Sequence, residues 1–166
     1  MKHEVKNKKG FTLLEILVYG SLLALLITLM ANSIAALSHL IIEAKAERAV
    51  RSSAEAALER IAREIRFAES VNLGSSVLNT NPGTLALTSI DPFTEAAQTI
   101  TITTSGNRVT IQKGVSGAEF LTSNKTAATN LVFRHMTNST VSESARTELT
   151  VGGEKFYTTT VLRRSY

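Results

Sequence analysis

The sequence predicts an α+β fold: one long N-terminal helix, apolar in its first half and amphipathic in its second, packed on a small, largely antiparallel β-sheet. Three observations predict it. Nothing between Thr12 and Glu69 breaks a helix except the single Gly20, and the first proline is Pro82. The second half of that stretch carries apolar residues at steps of three and four. Beyond residue 70 the composition turns to Thr, Val, Ile, Ser and Gly, with apolar and polar residues alternating. The chain thus divides into a basic leader (1–10), an apolar helix half (11–42), an amphipathic helix half (43–69) and a β-rich domain (70–166).

The leader holds Lys2, Lys6, Lys8 and Lys9 against Glu4, a charge of +3 out of the +4 of the whole chain. Without it the side-chain charge falls to +1, so the basic pI gives little support to a nucleic-acid footprint. Residues 11–42, "FTLLEILVYGSLLALLITLMANSIAALSHLII", carry one formal charge, Glu15. As a helix they reach about 48 Å, whereas a hydrocarbon core is about 30 Å thick. Tilt or an interfacial end accounts for the excess; so does burial against other copies of the same helix.

From Glu43 the surface becomes charged, with Glu47–Arg51, Glu59–Arg63 and Arg60–Glu64 spaced for i,i+4 pairing. Val50, Ala54, Ala57, Leu58, Ile61, Ile65 and Ala68 form one stripe. Its alanine content suits packing on a sheet better than a coiled coil. Strands are expected at 84–90, 98–104, 108–112, 130–136, 146–151 and 154–164, with Ser105-Gly106-Asn107 as a three-residue hairpin turn and Gly152-Gly153 joining the last two. Ile100 and Ile102 face one side of their strand and Thr99, Thr101 and Thr103 the other.

The chain has no cysteine, so neither a disulfide framework nor a cysteine–zinc site is available. His3, His39 and His135 have no metal-ligand spacing. No metal, cofactor or catalytic role is expected, although a triad assembled from distant residues is recognised in space rather than in sequence.

The segment Lys8-Lys9-Gly10-Phe11-Thr12-Leu13-Leu14-Glu15 resembles the N-terminus of type IV pilins and of the related pseudopilins. That family has a short basic leader ending in glycine, then Phe, then Thr-Leu-Leu-Glu inside an unbroken apolar helix. The detailed match covers about residues 8–35, and a long helix followed by an antiparallel sheet is the family's architecture. The resemblance implies that a membrane-embedded prepilin peptidase cuts between Gly10 and Phe11 on the cytoplasmic side and methylates the new amine of Phe11. It implies that Glu15 pairs with the terminal amine of a neighbouring subunit and so sets the register of assembly. Partners would be other pilin or pseudopilin subunits, the peptidase and an inner-membrane assembly machinery. The chain would cross the inner membrane once, N-terminus in the cytoplasm, before entering a filament.

Physical chemistry agrees with each role. Lysines before an apolar run hold that end in the cytoplasm, and Lys8 and Lys9 serve equally well for topology or for peptidase recognition. A carboxylate at membrane depth costs about 2.5–3.5 kcal/mol, a cost relieved by a cation. Glu15 also has a plainer reading, snorkelling to the headgroups or pairing with its own amine. The segment "ALERIAREIRFAESV" and the closing "FYTTTVLRR" resemble those of minor pilins and minor pseudopilins of the W and J types, and two departures put a major-subunit role in doubt. Asn32 stands where many major pilins bend their helix with proline, and the C-terminal disulfide common among them is impossible here. Three alternatives stay open: a cleaved secretory signal ending near "NSIAALS", a plain membrane anchor for an extracellular binding domain, and a DNA-binding pilin using Arg134, Arg146, Arg163 and Arg164.

Overall fold

In the computed structural model, which describes residues 10–138 and 142–162, helix α1 runs from Leu13 to Phe67. It starts two residues after Phe11 because Thr12 takes the N-cap. The Glu15 N–H donates to the Thr12 hydroxyl (3.3 Å) and to the Thr12 carbonyl (3.0 Å). It stops at Phe67, short of the expected Glu69, because the Glu69 N–H is bonded to the Thr88 carbonyl at 2.9 Å and the chain has already joined a sheet.

Eight strands follow: β1 (Ser70–Val71), β2 (Leu85–Ile90), β3 (Ala97–Ser105), β4 (Arg108–Lys113), β5 (Glu119–Phe120), β6 (Ala128–Asn138), β7 (Ser142–Val151) and β8 (Glu154–Val161). All pairings are antiparallel. The expected strands are there, divided between a five-stranded sheet ordered β1-β2-β3-β4-β5 and a three-stranded sheet ordered β6-β7-β8. The division has a visible cause. The segment 79–83 occupies the outer edge of β6, with the Asn79 and Gly83 N–H groups bonded to the carbonyls of Phe133 and Leu131 and Asn81 Oδ1 accepting from the Leu131 N–H. Gly83 is needed there, since a Cβ would stand 2.9 Å from the Leu131 carbonyl oxygen. The short β1 and β5 have no sequence signature of their own.

The hairpin between β3 and β4 is tighter than the three-residue turn expected. Ser105 pairs directly with Arg108, leaving a two-residue loop of Gly106 and Asn107 at φ 56° and 60°. Two positive φ values define the turn whose twist matches a hairpin, and Gly and Asn are the residues that tolerate them.

By its contacts the chain forms two units, residues 1–45 and 46–166. In the second, the predicted stripe is the core face of the helix: Ala54, Ala57, Ile61, Ile65 and Ala68 are fully buried and Val50 is partly so. Opposite them lie Leu85, Leu87, Ile100, Ile102, Val109 and Ile111 of the five-stranded sheet and Leu131, Phe133, Leu149 and Val151 of the other. The alanines let backbone approach backbone. At Gly152 (φ 58°) a Cβ would meet Val50 Cγ2 at 2.7 Å, so glycine serves both the β7–β8 turn and the closeness of the helix.

Candidate functional site

In the first unit the residues singled out by sequence lie together at the start of the helix. Gly10 and Phe11 precede its first turn, both exposed, and no atom stands within 4 Å of where a Gly10 Cβ would be. The peptide between them is therefore open to an enzyme, outside helical hydrogen bonding. Lys8 and Lys9 lie outside the described residues.

Glu15 sits in the first turn, the one residue between Gly10 and Ala49 that is partly buried rather than exposed. Thr12 and Glu15 have the Ser/Thr-x-x-Glu spacing of a capping box, a signal legible in the sequence that the resemblance obscured. The Tyr19 hydroxyl donates to Glu15 Oε1 at 3.5 Å, one turn further on. Tyr19 is a site neighbour that the sequence reading missed; the four-residue spacing on one helix face was the available clue. Among the described residues no cation lies within 4.0 Å of the Glu15 carboxylate.

The remaining polar side chains of this half are mostly silenced by their own backbone. The hydroxyls of Ser21, Thr28, Ser33 and Ser38 donate to carbonyls three or four residues back, at 2.8–3.2 Å. Such bonds remove the penalty for placing a hydroxyl in hydrocarbon. Ser33 and Ser38 dilute the apolar run in sequence but not physically. By length and composition this helix is able to cross a membrane, and none of its most apolar 18-residue window is buried.

The second unit holds three polar clusters. Glu64, with its side chain 9% exposed, accepts both Arg60 Nε (3.1 Å) and Lys113 Nζ (2.8 Å) on the same oxygen, tying the helix to the end of β4. The expected Arg60–Glu64 and Glu59–Arg63 pairs form, and Glu47–Arg51 does not close. Glu64, Arg60, Arg63 and Lys113 line, together with Phe67, Ile90, Pro92 and Ile100, a cavity of about 480 Å³. Arg134 and Arg146 are cross-strand partners and both reach Glu148 Oε1, at 3.0 and 3.2 Å. Two of the four arginines of the DNA-binding alternative thus meet, but on a shared carboxylate that offsets half of their charge. Arg163 and Arg164 lie outside the described residues. His135 Nε2 lies 3.8 Å from Glu143 Oε2, which also accepts the Val71 N–H.

No family model, no curated protein and no solved structure matches the chain.

Proposed function

We propose that the chain is a minor pilin- or pseudopilin-like subunit, a structural component of a type IV pilus-like or secretion-type filament, and not a catalyst. One observation carries the reading: a single carboxylate in the first turn of an otherwise uncharged, solvent-bare apolar helix half, with no cation beside it among the described residues. Such a group is costly alone and useful in company. Trimming between Gly10 and Phe11 would create a cationic amine at the same end of every copy, and a neighbour at the right height would supply the missing counter-ion. Association of the apolar surfaces completes the assembly. Because lipid already shields them from water, the step out of the membrane requires an assembly machine.

Mass spectrometry of the mature N-terminus from native membranes tests the reading. A chain starting at Phe11 and carrying one methyl group is the expected result. An uncut chain or an unmethylated end would leave a plain membrane anchor, and a start near Ala36 would indicate a secretory signal.

A further inference from the structure

The outer edge of β8 is a long sheet edge that the described residues leave open. We propose that it is a self-pairing surface, on which a second copy of this chain lays its own β8 antiparallel and joins two three-stranded sheets into one. The proposal concerns the 46–166 unit and stands whether or not the filament reading holds.

Backbone direction along β8 follows from its turn. The two-residue loop Gly152-Gly153 closes on the pair Val151–Glu154, which exchanges both hydrogen bonds. From there the even-numbered residues of β8 turn their N–H and C=O groups toward β7. The Leu162 N–H bonded to the Glu143 carbonyl at 2.9 Å keeps that parity. Lys155, Tyr157, Thr159 and Val161 therefore direct their backbone groups outward, and no described residue is bonded to them there. Their side chains are exposed as well, Tyr157 by 69% and Val161 by 57%.

Among the described residues the other edges are shorter or partly covered. β1 and β5 are two residues long. β2 is covered by β1 and by bonds from Glu69 and Asn72, and β6 from Leu131 to Phe133 by the segment 79–83. Proteins blunt long edges with proline, bulges or inward charges. In β8 the register with β7 runs without a shift from Glu154 to Val161, and there is no proline.

The strand itself names its partner. Phe156–Val161 reads Phe-Tyr-Thr-Thr-Thr-Val: two aromatic and four β-branched residues, no charge, no glycine. Uncharged six-residue segments of high β-propensity pair with their own kind. The only charges, Glu154 and Lys155, lie together at one end. Parallel pairing would set like beside like, whereas an antiparallel pair sends them to opposite ends. A two-fold axis at Tyr157 or Thr158 leaves no like charges facing.

The chain has no cysteine, so single-cysteine variants of the full-length protein, scanned from Lys155 to Val161 in membranes under mild oxidation, report the pairing directly. Moving one residue off a two-fold axis separates the paired positions by two residues, about 7 Å along the strand, which exceeds disulfide reach. The expected result is a disulfide dimer at one central residue, Tyr157 or Thr158, that falls away on both sides. Adding Thr159→Pro removes one outward N–H without touching the β7 ladder and is expected to abolish the dimer. In the unsubstituted chain, amide exchange gives an independent reading: Lys155, Tyr157, Thr159 and Val161 are protected along with Phe156, Thr158 and Thr160. Free exchange at the odd-numbered four while the others stay protected overturns the proposal. So does cross-linking that is absent, even along the scan, or directed only to another protein.

Discussion

At the residue scale, Glu15 has two attachments that act at different moments. Within one chain its backbone N–H is capped by Thr12 and its carboxylate accepts from Tyr19; between chains, on the proposed reading, the carboxylate would meet an amine. The two are separable by substitution. Glu15→Gln keeps the backbone bond to Thr12 and a side chain able to accept from Tyr19, but offers no charge. If pairing with a cation drives assembly, Gln and Ala are expected to impair incorporation equally while leaving cleavage after Gly10 intact, as read from the ratio of assembled to membrane-bound mature protein. Wild-type incorporation of the Gln variant would reduce the Glu15 side chain to an acceptor for Tyr19. Glu64 poses the complementary case, a carboxylate that does have its cations. Glu64→Gln leaves Arg60 and Lys113 facing each other across a neutral amide, and a loss of about 2 kcal/mol is expected in denaturant unfolding of the 46–166 unit. Glu64 was legible in sequence only as half of an i,i+4 pair. Its bond to Lys113 joins residues 49 positions apart, and no local pattern signals such a contact. Asp91 shows a smaller, wholly local effect. Its Oδ1 accepts the Phe93 N–H at 2.8 Å, and that bond, ahead of the others, holds its carboxyl below the usual aspartate range. A lowered folded pKa stabilises the turn above the ordinary value, and this is lost as pH falls through the folded one.

At the scale of elements, one helix carries two kinds of apolar surface that differ in what covers them. Ile61 is fully buried within the unit, whereas Ile27 is 58% exposed. Ile61→Ala leaves a cavity against the sheets and is expected to cost about 3 kcal/mol in unfolding. Ile27→Ala removes nothing from that core. Its expected effect is on assembly, with the unfolding midpoint of the 46–166 unit unchanged; a matching loss of stability would mean that the apolar half is part of the core after all. The stripe from Val50 to Ala68 was readable in advance because a helix repeats its buried face every three or four residues, and the strands because theirs alternate. The division into two sheets was not. It depends on a segment, 79–83, whose backbone bonds to β6 come from residues with no strand pattern. The tighter β3–β4 turn was legible and misjudged: Gly-Asn supplies the two positive φ values of a two-residue loop without needing Ser105.

At the scale of the whole molecule, if the helix crosses a membrane as proposed, its direction depends on charges that are nearly balanced. Basic residues close to a span orient it, with acidic ones contributing little. The leader holds four lysines, and Lys45, Arg48 and Arg51 lie within ten residues beyond Ile42. A bias of four against three is slender, so the two lysines adjoining the span, Lys8 and Lys9, decide its sign. Replacing both by glutamine leaves two against three, which reverses the bias without altering any residue of the helix or the sheets. The double variant is therefore expected to give a mixed or inverted population. Protease protection in sealed, inverted (cytoplasmic-side-out) inner-membrane vesicles reads it directly: the β-rich domain is expected to be shielded in the lumen when the leader is intact and to become partly digestible in the variant. The inverted fraction would also lose peptidase access at Gly10–Phe11, so uncut chain and digestible domain should rise together. If uncut chain accumulates while the domain stays fully protected, Lys8 and Lys9 act in recognition by the peptidase, and the orientation is held by something other than the leader's charge.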